Sequence, residues 1–313
     1  MADLTLVRPA ASDALHRLAD DFLADKRANG KAAKTTEMYQ WSLDRIFLPW
    51  CAEAGITEPS QLTDRALVRF VSSLREHGGP SGAPLSDASV NSYSRSVRAF
   101  LHWAEKELGE RVKVPMKKLP RQLLEVLSTE EIQRMEDVAR SERDELLVRT
   151  LADTGIRLGE LLGLRAKDLV ETDRGRYQLR VDGKTGQRLV PCTPALARRL
   201  RRHLSRRHAE KGDRMFVGTR RSARTGEYEP LTANGAEQAI RHLGKEAGIG
   251  RRVYPHLFRH SYATLMLRRG MSTIQLQSIL GHSSITMIAQ VYSHLNTDDA
   301  YDAAMKALLG GDE

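Results

Sequence analysis

The stretch Tyr254–Tyr292, YPHLFRHSYATLMLRRGMSTIQLQSILGHSSITMIAQVY, decides how the rest of the chain is read. Pro255 suits the first position of a helix, and apolar spacing carries that helix over 256–269. His256 and Arg259 stand three residues apart, so they share one helical face near an N-terminus, where an anion is favoured. A second helix, 273–280, ends on Leu280-Gly281-His282, and a third, 284–294, carries Ile285, Ile288, Val291 and Tyr292. Three groups that can hold or protonate a phosphate thus precede one that can attack it. Singly, each has an ordinary alternative: His282 as a local helix-end histidine, Tyr292 as a core residue. His260, four residues from His256, invites a metal reading, but no glutamate completes HExxH and no third ligand is spaced nearby. It reads better as a packing residue behind the site.

Upstream, Arg157 lies in TGIRLGEL, between a glycine that ends one helix and Glu160 in the first turn of the next. Its planar fork suits a bidentate grip on phosphate, with Glu160 to orient it, although a surface ion pair would look the same in sequence. RYQLRVDGKTGQRLVPC alternates at period two about Gly183-Lys184-Thr185-Gly186, a hairpin with Lys184 at its tip. Tyr177, Leu179 and Val181 are expected on one side, with Leu189 after the turn. A lysine there is either solvated or placed to protonate a leaving oxygen. Ser128 and Glu131 form a capping box that opens helices at about 129–139 and 142–153. PALARRLRRHLSRRH is a basic helix whose arginines spread around its circumference, so a solvated face is as good a reading as a DNA-facing one. A further helix is expected at 233–247.

The first part of the chain is helical. Helices are expected at 13–28 after Ser12 and from Thr36 to Ala54 with a kink or break at Pro49. A third follows Thr63, and a long one runs from Ser86 through Leu108. GGPSGAP at 78–84 is a loop. Residues 109–127 hold two prolines and the basic cluster Lys113, Lys117, Lys118 and Arg121, which suits a linker crossing a phosphate backbone. The net charge of +9 is uneven: 17 Lys and Arg against 15 Asp and Glu in residues 1–120, but 32 against 25 afterwards. That surplus fits a polyanion partner. Cys51 and Cys192 form no CxxC motif, and no metal or other cofactor is implied. No apolar run reaches a membrane span and no signal-peptide core is evident at the N-terminus, so no membrane association and a cytoplasmic location are expected.

Taken in order, TGIRLGEL, GKTGQRLVP, HLFRHSYAT, LGHSSI and AQVYSH resemble the tyrosine recombinase (phage integrase) family, of the simple two-domain Xer-like type. The resemblance implies a mainly α fold with a small antiparallel β-sheet. It implies a core-binding (SAM-like) DNA-binding helical bundle at 1–110, a basic linker at 111–127, and an α/β catalytic domain at 128–313 with a C-terminal tail helix. It implies Arg157, Lys184, His256, Arg259, His282 and Tyr292 as the catalytic set, with Tyr292 the nucleophile and a 3′-phosphotyrosyl intermediate, without metal or ATP. Double-stranded DNA core sites, a homotetramer on two duplexes, a Holliday junction and exchange of the C-terminal segment 298–309 follow from the same resemblance. Accessory DNA-bending or directionality factors belong with them. Integration or excision of a mobile element is the leading expectation, with Xer-type resolution of chromosome or plasmid dimers beside it. A one-duplex enzyme, of type IB topoisomerase or telomere resolvase kind, and an inactive DNA-binding protein are the alternatives.

Overall fold

The computed structural model of the chain describes residues 13–79, 82–109, 111–118, 125–183, 186–281 and 305. The expectations for Ser12, Arg121, Lys184, His282, Tyr292 and the helices at 284–294 and 298–309 lie outside the described residues, Met305 apart. The chain divides into two compact units, Met1–Arg121 and Gln122–Glu313. The fold is mainly helical with a small antiparallel sheet, as the resemblance implied.

The first unit is built from helices. These are α1 (Asp13–Ala28), α2 (Ala33–Ser42), α3 (Leu48–Glu53), α4 (Asp64–His77), α5 (Asp87–Trp103) and the short α6 (Glu105–Leu108). Thr63 and Ser86 cap α4 and α5, each accepting from the backbone N–H three residues on. Four phenylalanines meet in the core; Phe22 and Phe100 sit edge to face at 5.6 Å, and Phe47 and Phe70 at 5.2 Å. Pro49 does not break the last turn of its helix. Instead a π-helical turn, Leu43–Phe47, comes before it, and Pro49 starts α3. A proline there has no N–H to give the carbonyl four residues back, so widening the preceding turn lets the helix continue. The helix expected to reach Leu108 is interrupted at Ala104. Residues 111–118 lie against this unit, with Val112 and Val114 buried in its core.

In the second unit α7 (Thr129–Asp137) opens on the expected capping box, Ser128 with Glu131. Next comes α8 (Glu142–Thr154), whose Leu146, Leu147, Val148 and Leu151 are wholly buried. The short α9 (Leu158–Gly163) leads to a meander of β1 (Leu169–Glu171), β2 (Tyr177–Gly183) and β3 (Gly186–Cys192), in that spatial order. Residues opposite one another share a face, so Leu179↔Val190 and Val181↔Arg188 point inward. Leu189 pairs with Arg180 on the outer face and is 48% exposed. The expectation that it would follow the buried set is off by one position, because the turn sets the register and a one-residue slip reverses the face. The helix α10 (Pro194–Arg206) follows. A two-stranded sheet, β4 (Val217–Arg221) with β5 (Tyr228–Pro230), has no alternating apolar signal, and the sequence does not suggest it. Then come α11 (Ala233–Glu246), α12 (Pro255–Arg268) and α13 (Thr273–Leu280).

The arginines of α10 are mostly tied within the fold. Arg199 reaches Glu136 and Glu145, Arg201 reaches Glu171 and lies over Tyr177, and Arg206 reaches Glu142. Arg198 and Arg202 stay exposed. Ion pairs within the fold, which neither reading of the sequence anticipates, take up most of the charge of this helix.

Candidate active site

Five of the expected residues, Arg157, Glu160, His256, Arg259 and His260, gather where α8, α9 and α12 meet. Helix α8 ends at Gly155, whose φ of 61° is left-handed; a Cβ there would come within 2.5 Å of the Tyr262 ring. Only glycine permits both that turn and that approach by α12. The turn delivers Arg157 to the start of α9. Glu160 Oε2 accepts from the Arg157 backbone N–H at 2.8 Å, and Glu160 Oε1 accepts from Arg157 Nη1 at 2.9 Å. Glu160 therefore fixes both the backbone and the side chain of Arg157.

Arg259 lies on the buried face of α12, 2% exposed. Its Nη1 donates to the Gly155 carbonyl at 2.9 Å and its Nη2 to the Leu280 carbonyl at 2.7 Å. One guanidinium thus holds together the turn before Arg157 and the end of α13, just ahead of Gly281-His282. Burial, and then the nearby charge of Arg157, lower the Arg259 pKa to about 10, with Arg188 adding to the same effect and Glu160 opposing it. The cost of holding these cations together falls when an anion arrives.

His256 begins the same helix, one turn before Arg259. Burial, followed by the charges of Arg259 and Arg157, lowers its pKa from the ordinary 6.5, and Glu237 on α11 opposes that shift. The shift favours the neutral imidazole, the form able to accept a proton, although the residue as a whole is exposed. His260 packs behind it with ring centres 6.4 Å apart. Its pKa is also lowered, by burial first and then by His256 and Arg259, and its Nδ1 is buried with no hydrogen-bond partner. Among the described residues no group of three or more His, Cys, Asp or Glu could hold a metal ion.

Arg188, which the sequence reading does not single out, completes the cluster. From β3 it places Nη1 on Glu160 Oε1 at 2.9 Å and Nη2 on Glu160 Oε2 at 2.8 Å. Its Nε donates to the Ile279 carbonyl at 2.6 Å. The sequence does hold a signal for it: an arginine at an inward-facing position of a half-buried strand must find a partner in the core. Burial raises the Glu160 pKa, but the hydrogen bonds from Arg188 and from the Arg157 backbone outweigh it and the net shift is downward.

The basic candidates before the second unit behave differently. Lys113 and Lys118 are exposed, whereas the Lys117 ammonium is 2.6 Å from Asp87 and its backbone pairs with the Asn91 side chain. They remain candidates for backbone contact, with Lys117 already paired.

Residues 125–299 match the model of the phage integrase family. The tyrosine recombinase XerA of Saccharolobus solfataricus is 30% identical over 257 residues, covering 80% of each chain. XerA of Thermococcus kodakarensis is 30% identical over 283 residues, 90% of this chain and 91% of that one. The crystal structure of the XerH site-specific recombinase bound to a palindromic difH substrate, a post-cleavage complex, superposes with a TM-score of 0.68 at 22% identity. It covers 90% of this chain and 82% of that one, a likeness of fold. This chain belongs to the phage integrase family, the tyrosine recombinases, and within it is Xer-like.

Proposed function

We propose that the protein is a site-specific DNA recombinase that integrates or excises a mobile element by breaking and rejoining DNA. The observation that carries this reading is the gathering of Arg157, held by Glu160, with Arg259, which bonds the carbonyl of the turn before Arg157, and His256 one turn from Arg259 on the same helix, a cluster of cations and a base suited to an anion. Arg157 and Arg259 stabilise the nonbridging oxygens, where charge builds in the pentacoordinate transition state, and His282 adds a hydrogen bond. The Tyr292 oxygen attacks phosphorus and its proton passes to His256. A tyrosine with a pKa of about 10 needs such a base. The bond from phosphorus to the 5′ oxygen breaks, and Lys184 supplies the proton to that oxygen. The 3′-phosphotyrosyl link conserves the phosphodiester, so a 5′-hydroxyl from a second duplex reverses the step. Neither metal nor ATP enters.

In this proposal the enzyme works in the cytoplasm as a homotetramer on two double-stranded core sites, through a Holliday junction. Residues 298–309 dock on a neighbouring copy, and accessory DNA-bending or directionality factors set the outcome. Lys113, Lys117, Lys118 and Arg121 contact the DNA phosphate backbone, while His260 supports His256 from behind. Resolution of chromosome or plasmid dimers is a second reading, favoured by relatives named XerA that match along most of both chains.

The test is to mix the full-length protein with sheared genomic DNA of its source in EDTA, stop with detergent and recover protein-linked fragments. A shared sequence in those fragments supplies a nicked duplex, on which adduct should form with the wild type and vanish in Tyr292→Phe. Cleavage that EDTA abolishes, or that leaves no protein-linked DNA, sinks the mechanism.

A further inference from the structure

Glu160 is in an odd place for a carboxylate, within reach of the cations that are proposed to hold phosphate. Its side chain is 4% exposed, and a lone partner would leave it as one member of a neutral pair with Arg157. A neutral pair attracts an incoming phosphate weakly. Arg188 changes that balance. Its fork covers both carboxylate oxygens, its side chain is only 11% exposed, and three of its five N–H donors are used inside the fold, two on Glu160 and one on Ile279. The hairpin backbone closes the remaining side: a Cβ on Gly183 would lie 2.6 Å from Glu160 Oε1 and 3.4 Å from Arg188 Nη1. One carboxylate is thus divided between two guanidiniums, and the three groups together carry one positive charge.

We propose that Arg188 is a positioning residue that takes up the charge of Glu160, so that Glu160 can hold Arg157 in place without cancelling it. This rests on the function proposed above. Arg188 acts through Glu160 and is not a catalytic residue. Because it also donates to Ile279, it keeps β3 and the end of α13 at a set distance from the same carboxylate. Removing the charge of Arg188 leaves Glu160 to neutralise Arg157, a loss that removing the charge of Glu160 as well should repair. A residue that merely props up the fold would show no such repair.

The experiment compares wild type, Arg188→Gln, Arg188→Lys and Arg188→Gln with Glu160→Gln, all full length, on the nicked duplex built from the trapped sequence. Single-turnover adduct formation and duplex affinity are measured separately. Arg188→Gln should slow adduct formation roughly 100-fold, as loss of one stabilising donor does. Its duplex affinity should stay within about threefold, since most backbone contacts lie elsewhere. Arg188→Lys, which keeps the charge but not the fork, should retain most of the rate. Adding Glu160→Gln should raise the rate of Arg188→Gln about tenfold, because the amide that replaces the carboxylate is neutral and can donate to the side-chain carbonyl introduced at position 188. A double variant no faster than Arg188→Gln overturns the proposal, as does an Arg188→Gln protein that cleaves like wild type. If Arg188→Gln loses its cooperative melt, Arg188→Lys decides: near-wild-type cleavage supports the role, and loss of cleavage in a folded Arg188→Lys protein overturns it. Absence of adduct from the wild type overturns the proposed function, and the Arg188 role with it. An active wild type beside an unaffected Arg188→Gln overturns the Arg188 role alone.

Discussion

Two buried glutamates in the second unit are each gripped by two arginines, and the groups around them differ in the balance of charge. Glu136, 6% exposed, meets Arg149 and Arg199, the latter at 2.8 Å. Around it Arg199 also reaches Glu145 at 3.1 Å, and Arg149 reaches Asp153 at 3.6 Å. Two guanidiniums there face three carboxyl groups, and the charge is spent within the fold. Glu160 is held in the same way by Arg157 and Arg188, but Arg259 stands beside it and donates to backbone carbonyls. Two guanidiniums share that carboxylate, and the third is held by carbonyls. A buried ion pair is therefore no sign of a site by itself; what separates these two is the ratio of guanidiniums to carboxyl groups among the described residues.

The comparison breaks or sharpens first on cleavage. Arg157→Ala should cut the rate of adduct formation on the order of 10²–10³-fold with duplex affinity nearly unchanged, whereas Arg199→Ala should leave cleavage per folded molecule close to wild type. Gel assay of adduct beside a binding titration checks both. A collapse of binding in Arg157→Ala would make Arg157 a structural residue.

Stability is the next discriminator. Glu136→Gln leaves two partly exposed guanidiniums with a poorer partner, and should lower unfolding free energy by about 2 kcal/mol in denaturant titration. Its cleavage rate per folded molecule should hold. If folded Glu136→Gln loses cleavage, the two clusters are not functionally distinct.

The smallest effect concerns pH. His256 and His260 in one cluster, and His203 beside Arg206 and Glu142 near the other, all have pKa values lowered from 6.5, chiefly by burial. Between the unfolded value of 6.5 and the lower folded values, the unfolded chain binds protons that the folded one refuses. The stability contributed by these neutral histidines is present above pH 6.5 and is lost as pH falls below it. The melting temperature should therefore drop by a few degrees from pH 7.5 to 5.5, and His260→Gln or His203→Gln should flatten the slope. A flat profile in the wild type would mean that these rings protonate freely in the fold.

Much of the fold and part of the site are legible in the chain itself. Ser128 and Glu131, Thr63 and Ser86 mark helix starts because capping is local chemistry, satisfied within one turn. His256 and Arg259 fall on one helical face by spacing alone, and Arg157 meets Glu160 across only three residues of separation. What escapes a linear reading is whatever depends on a register or on a distant neighbour. Leu189 faces away from the core of the hairpin, the helix expected to run unbroken stops at Ala104, and β4 and β5 pair without an apolar alternation to announce them.

The sequence by itself determined the helical punctuation, the positive balance of the chain and the ordered set of residues that resembles the family, because each is written within a few residues or in simple composition. Only the tertiary structure decided that Arg259 ties the Gly155 turn to the end of α13, and that Arg188 reaches Glu160 across 28 positions. Whether a guanidinium is spent or available depends on which carboxylates come within a few ångströms of it. Coulomb interaction falls with distance in space and takes no account of separation along the chain.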